Sequence, residues 1–227
     1  MTDNSLSVLA PAKLNLFLHI LGRREDGYHD LQSLFQLLDY GDDLHIETDT
    51  SGTISLHLDE GSEIKNIPMD DNLIIRATEL LREKDGRNHL GASITLNKRI
   101  PLGGGLGGGS SNAAATLKAL NQLWQCGLEE QELATLGLKL GADVPVFIGG
   151  KSAWAEGVGE RLVAVEIEPC WYLVISPNCA VSTAQIFSQE NLTRNSPAIK
   201  MADFLAGRAR NDCESVTRKL HPEVDQA

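Results

Sequence analysis

Three groups of residues in this 227-residue chain have the types and spacing to do chemistry. The first is Pro101-Leu102-Gly103-Gly104-Gly105-Leu106-Gly107-Gly108-Gly109-Ser110-Ser111, which puts six glycines into the seven positions 103–109. Glycine loses more backbone entropy on folding than any other residue. Such a run is kept where the chain turns sharply or where something approaches its backbone closely. Ala113, Leu117, Leu120 and Trp124 are spaced for one buried helix face, so a helix is expected from Ser110 or Ser111, either of which can cap it. The N–H groups and dipole of a helix start favour an anion. Ala92–Ile100 alternates like a strand. Strand, glycine loop and helix together form a backbone cradle for a phosphate. The second group is Lys13 and Asn15, which share one face of a strand predicted over Leu14–Ile20, opposite the leucines. A cation and an amide two residues apart can line a phosphate or hydroxyl site, and can equally be solvated. The third is Asp143, a lone carboxylate in the apolar run Gly141–Gly150. Burying an unpartnered charge is costly. Asp143 reads either as a turn or cap residue, or as a general base held ionised by a nearby cation, for which Lys13 is a candidate.

Other uses of the glycines fit less well. A flexible linker does not run straight into an amphipathic helix. A Walker A loop ends in Gly-Lys-Ser/Thr, and no lysine follows here. Gly103, Gly105 and Gly108 match the bare dinucleotide spacing, but no acidic strand end follows to hold a ribose. The catalytic and magnesium loops of eukaryotic-type protein kinases are absent from the sequence. What remains is a nucleoside-triphosphate loop of another kind.

The elements that must position these groups read as α+β. Met1–Leu9 reads as a lead-in. Gly22–Gly27 is a charged turn before Tyr28 and His29, a pair that alone reads as a rim or core tyrosine and a surface histidine. Strands are expected near Leu34–Leu38, at Leu44–Thr48 and at Thr53–Leu58, the last two as a hairpin around Asp49–Gly52. Asp70-Asp71-Asn72 opens a helix that ends at Gly86, and Glu129–Leu140 is a helix closed by Gly141. Ser152–Glu156, Arg161–Ile167 and Trp171–Ile175 read as strands. Helices follow at Ser182–Gln189 and Ala198–Ala206, and from Asn211.

Composition excludes several classes. Hydrophobic residues make up 42% of the chain and charged residues 22%, as in soluble globular proteins. A net charge of −11 argues against a nucleic-acid surface. Four scattered cysteines without Cys-x-x-Cys spacing suggest a reducing compartment. The N-terminus lacks a secretory pattern, and Leu14–Leu21 is too short to span a bilayer. The expected location is the cytoplasm, without a membrane partner, as a monomer or weak homodimer.

Taken together, the lysine strand, the run Pro101–Ala115 and Gly141-Ala-Asp-Val-Pro145 resemble the GHMP small-molecule kinases. Pro11–Asp30, Leu38-Asp-Tyr-Gly-Asp42 and Asn211-Asp-Cys-Glu214 resemble the branch that acts on a cytidine-diphosphate derivative of methylerythritol. That resemblance implies ATP-dependent phosphorylation of the substrate's 2-hydroxyl in the non-mevalonate route to isoprenoid precursors. It implies two lobes: 1–155, like the second domain of ribosomal protein S5, and 156–227, part of a ferredoxin-like lobe. It also implies Asp143 as catalytic base, Lys13 as catalytic lysine and Pro101–Ser111 as the ATP phosphate loop, with Lys98 near the nucleotide. Asn15, Tyr28, His29, Thr183 and Phe187 fall around the substrate, with Tyr28 and Phe187 stacking on cytosine. Mg²⁺ is expected with ATP, with Ser110 or Ser111 as its protein contact. The chain stops before the third, Thr-Gly-Thr-Gly-type motif of the family, so a shortened second lobe with exposed apolar residues near Trp171–Ile175 is expected. The alternative to an active kinase is a nucleotide-binding remnant with little turnover.

Overall fold

The computed structural model describes residues 4–65, 67, 71–177 and 179–227. They form two compact units. The first comprises residues up to Ala12, Leu38–Ile100 and Gly107–Gly150; the second comprises Lys13–Leu37, Pro101–Leu106 and Lys151–Ala227. Strands β1 (Ser5–Arg23) and β2 (His29–Asp49) pair with each other, and each gives residues to both units. β1 starts at Ser5, within the expected lead-in. The two strands expected at Leu34–Leu38 and Leu44–Thr48 are one element.

In the first unit, β2 runs antiparallel to β4 (Gly91–Asn97), with Leu44 opposite Leu96 and Ile46 opposite Ile94. β4 also pairs in parallel with β3 (Ile54–Leu58). The expected β2–β3 hairpin is therefore corrected, because β4 lies between the two strands. A parallel pair needs a long crossover, and helix α1 (Leu73–Asp85) supplies it. Asn72 caps α1 by accepting the Ile74 N–H, and Gly86 ends it with φ +85°. Asp70, expected to open this helix, lies outside the described residues. α2 (Gly108–Leu123) packs on α1 and on α4 (Val144–Gly149), and α4 packs on α3 (Glu130–Leu138). The core combines Leu44, Ile46, Ile94 and Leu96 from the strands with Leu81, Leu117 and Leu120 from the helices, all fully buried.

In the second unit, β2 pairs antiparallel with β5 (Ala153–Gly157), and β5 with β6 (Arg161–Ala164). Here the burial along β1 follows the apolar alternation at Ile20 but not at the leucines. Phe17 and His19 are buried, whereas Leu14, Leu16 and Leu18 are only half-buried. The cause is packing: the Phe17 ring meets the rings of Trp154, Phe204 and His19. A second cluster joins Ile20, Ile186, Leu192 and Val216. It seats α5 (Thr183–Ser188) and α7 (Glu214–Leu220), which flank the short α6 (Met201–Leu205) in sequence; α8 (Pro222–Gln226) follows. Trp171–Ile175 is not a strand. Trp171 is 99% and Leu173 89% exposed, and a strand needs a neighbour to take its backbone hydrogen bonds.

Candidate active site

The glycine loop belongs to both units in turn. The chain leaves the first at Ile100, gives Pro101–Leu106 to the second and returns at Gly107. In the second unit the loop has two anchors. Val181 N–H donates to the Gly103 carbonyl (3.3 Å), and Lys13 N–H donates to the Leu106 carbonyl (3.0 Å). Leu106 is buried and holds the middle of the loop. Gly103, Gly105 and Gly107 have φ of +69°, +72° and +73°, a region that other residues enter only with strain. Among the described residues a Cβ on Gly105 would meet nothing within 4 Å, so this turn of backbone is open on one side.

Gly107 is the N-cap of α2, in the left-handed conformation and with no side-chain cap bond. The expected start at Ser110 or Ser111 is thus corrected: the helix begins at Gly108, and the serines lie within its first turn. Helix geometry leaves the first N–H groups without intrahelical acceptors. A capless start presents them with the positive end of the dipole. Gly108 is packed tightly, since a Cβ there would lie 3.0 Å from Ile100 Cγ2 and 3.1 Å from Lys98 Nζ. Ser111 Oγ and Asn112 Oδ1 are buried without a hydrogen-bond partner among the described residues.

Lys98 is buried beneath this helix start. Its Nζ donates to Asp42 Oδ2 (2.7 Å) and to the Ile100 carbonyl (2.6 Å). Burial pushes its pKa down, against the opposing pull of Asp42. Asp42 Oδ1 accepts the N–H groups of Arg99 (2.7 Å) and Ile100 (2.8 Å). The buried carboxylate therefore fixes the backbone where β4 feeds the loop. The family resemblance implies a place for Lys98 near the nucleotide but assigns Asp42 no role.

Lys13 and Asn15 are brought together on β1, as their spacing predicts. Lys13 Nζ donates to Asn15 Oδ1, and Asn15 Nδ2 donates to Ser33 Oγ (2.8 Å). Ser33 Oγ–H in turn donates to the Phe17 carbonyl (2.6 Å). Lys13 Nζ also lies 5.2 Å from the centre of the Phe35 ring. Asn15 is thereby oriented with its oxygen toward the cation. Ser33 was not anticipated, since nothing in the Leu31–Phe35 stretch marks it. Asp143 occupies the N-cap position of α4, with Pro145 in the first turn, yet its carboxylate makes no cap bond. The turn-or-cap placement therefore holds for its backbone, while the carboxylate is not used as a helix cap.

In the second unit the structure brings His29 and Phe187 together. The His29 and Phe187 rings are 5.1 Å apart and tilted by 54°. Phe187 is on α5, whose N-cap Ser182 accepts the Gln185 N–H, and exposed Thr183 is the first residue of that helix. Tyr28 is 64% exposed, which excludes the core reading. Asp26 holds its backbone by accepting the Tyr28 N–H. Arg194, unremarked in the sequence, donates from Nε to His29 Nε2 (3.1 Å). Among the described residues no helix is long and apolar enough to cross a membrane, and no three His, Cys, Asp or Glu side chains group as a metal site.

The class follows from known proteins. A family model for the GHMP kinase N-terminal domain matches residues 72–151, which include α1, the glycine loop and Asp143. A homoserine kinase from Cytophaga hutchinsonii shares the fold at 17% identity, with a TM-score of 0.60 over 91% of this chain and 64% of its own. A solved 4-(cytidine 5'-diphospho)-2C-methyl-D-erythritol kinase superposes with a TM-score of 0.77 at 35% identity, over 97% of this chain and 80% of its own. The 4-diphosphocytidyl-2-C-methyl-D-erythritol kinase of Pseudomonas paraeruginosa is 58% identical over 98% of this chain and 77% of its own length. That of Pseudomonas syringae is 54% identical over the whole chain and 79% of its own length. The chain belongs to the 4-diphosphocytidyl-2-C-methyl-D-erythritol kinase family of GHMP kinases.

Proposed function

We propose that the chain transfers the γ-phosphoryl group of ATP to the 2-hydroxyl of 4-diphosphocytidyl-2-C-methyl-D-erythritol, in the non-mevalonate route to isoprenoid precursors. The observation that carries this reading is 58% identity to a kinase of that name over 98% of the chain. The geometry agrees with it. Phosphoryl transfer asks a protein mainly for positioning and charge stabilisation. The left-handed glycines and the capless start of α2 suit the ATP phosphates, and Pro101–Ser111 is given that role, with Lys98 behind the helix start. Asp143 is the base that takes the hydroxyl proton, and Lys13, ordered by Asn15, stabilises the negative charge on the substrate side. Asn15, Tyr28, His29, Thr183 and Phe187 receive the substrate, with the aromatic rings on the cytosine.

Mg²⁺ is a hard cation that takes oxygen ligands, and the unpartnered Ser111 hydroxyl fits it. Ser111, or Ser110 beside it, would hold the ion, which when bound neutralises charge on the ATP phosphates. We assign residues 1–155 to an ATP-binding lobe and 156–227 to a substrate lobe. The working form is a cytoplasmic monomer or weak homodimer without a nucleic-acid or membrane partner. A coupled assay of ADP release tests the reading. Release should require both ATP and the cytidine-diphosphate substrate and should saturate in each. Tight binding of both without release would overturn it.

A further inference from the structure

Arg194 makes an unusual number of hydrogen bonds for a loop residue. Nη2 donates to the carbonyls of Phe187 (2.8 Å) and Gln189 (2.7 Å), Nη1 donates to that of Leu192 (3.2 Å), and Nε donates to His29 Nε2 (3.1 Å). The side chain is half-buried. One rigid, planar group therefore gathers the backbone after α5 and the ring of His29 at once. With a longer Nη1 bond to the Glu190 carbonyl (3.5 Å), four carbonyl bonds fix the guanidinium, which leaves its Nε–H aimed at the imidazole.

A guanidinium has five donors and no acceptor, and it does not lose its proton in proteins. Its partner nitrogen on His29 must therefore be the unprotonated one. In a neutral imidazole one nitrogen carries hydrogen and the other accepts. With Nε2 accepting from Arg194, the hydrogen is on Nδ1. A doubly protonated ring would set N–H against N–H. Burial lowers the His29 pKa, and the positive charges of Arg194 and Arg23 lower it further, in the same sense.

We propose that Arg194 is a positioning residue that locks His29 as a hydrogen-bond donor and ties it to the Phe187 segment, so that the pair selects cytosine over uracil. The inference rests on the cytidine reading given above. Cytosine and uracil have the same ring shape and stack alike on Phe187. They differ in hydrogen bonding: cytosine N3 accepts and carries an amino group beside it, whereas uracil N3 donates and has a carbonyl beside it. A histidine able to present either nitrogen as donor or acceptor would serve both bases. A histidine confined to the Nδ1–H form matches the acceptor edge of cytosine and opposes the N–H of uracil. Leaving a buried donor unpaired costs about 1–3 kcal/mol, or roughly five- to 150-fold in affinity.

The test uses the full chain with ¹⁵N-labelled histidine. Long-range ¹H–¹⁵N spectra of the wild type should show His29 with a protonated Nδ1 and an unprotonated Nε2. Calorimetry with CDP and UDP should show CDP bound roughly tenfold tighter or more. Arg194→Met should lose the tautomer signature and bring the two affinities within about threefold, with kcat at saturating substrate changed far less than KM. Arg194→Lys, which keeps the charge but not the fork, should fall between. An Nε2–H tautomer in the wild type overturns the proposal without any variant, so a poorly folded Arg194→Met does not shield it. An unchanged CDP-over-UDP ratio in a folded Arg194→Met, with melting checked, overturns it as well. A wild type that prefers neither nucleotide, yet shows the Nδ1–H signature, overturns the cytidine reading rather than the Arg194–His29 coupling, and removes the selectivity role with it.

Discussion

At the scale of single residues, what distinguishes the candidate site is how its side chains are held. Lys13 is not simply a cation on a strand. Its partner Asn15 is itself fixed through Ser33 to the Phe17 carbonyl. Lys13, Asn15 and Asp143 stood out as candidates because their types are uncommon in apolar strands and runs. Ser33 and Arg194 were not, because a serine in a strand and an arginine in a polar loop are ordinary until folding gives them partners. Tyr28 supplies a clean test, since it is 64% exposed. Base stacking is worth roughly 1–3 kcal/mol. Tyr28→Ala should therefore raise the substrate Kd by about tenfold while leaving the melting temperature unchanged. Calorimetric titration and thermal denaturation of the same sample check both halves. A lowered melting temperature with intact affinity would return Tyr28 to a structural role.

At the scale of elements, the glycine loop enters α2 without a side-chain cap, the arrangement the proposed phosphate site needs. The sequence showed the loop and the helix but misplaced their junction, because serines are strong caps and a left-handed glycine can do the same with no side chain at all. Gly105→Ala tests the open backbone directly. The added methyl meets no protein atom, and the left-handed φ costs roughly 1–2 kcal/mol. A folded variant with ATP affinity reduced about tenfold or more is expected by calorimetry. Unchanged affinity would show that phosphate does not approach there. A second element-scale test concerns the joined ends of α1 and α2. Asp85 holds Arg87, whose Nη2 donates to the Trp124 carbonyl at the C-cap of α2 (2.7 Å). The hydrogen bond with Arg87 lowers the Asp85 pKa to about 2, from an ordinary 3.8. A depressed carboxylate contributes stability above its unfolded pKa and loses it as pH falls toward the folded value. Asp85→Asn should therefore cost about 1 kcal/mol at pH 7, allowing for the exposure of Arg87, and much less near pH 2, where the folded carboxylate is half protonated. Urea titrations at both pH values measure this. An equal loss at both would attribute the effect to packing.

At the scale of the whole chain, periodicity was enough for the α+β class and for most elements, but not for how the strands pair. The β2–β3 turn looks like a hairpin because adjacency favours one. β4 displaces that pairing from far along the chain, and no local pattern announces it. Likewise the leucines of β1 are only half-buried while Ile20 is fully buried, because the aromatic cluster around Phe17 takes the interior at the strand's middle. The family was easier to read than the pairing, since long runs such as Pro11–Asp30 and Pro101–Ala115 carry it directly. The central claim is that this chain moves a phosphoryl group from ATP to a cytidine-diphosphate-linked alcohol with Asp143 as the base. ³¹P NMR of the reaction mixture tests it most directly. With the wild type, a new phosphomonoester signal on the substrate should grow at the rate at which ATP is lost. With Asp143→Asn, growth should slow by ~10²–10⁴-fold while titrations show the substrate still bound. ATP loss without that signal, or an Asp143→Asn protein that forms it at the wild-type rate, would contradict the claim.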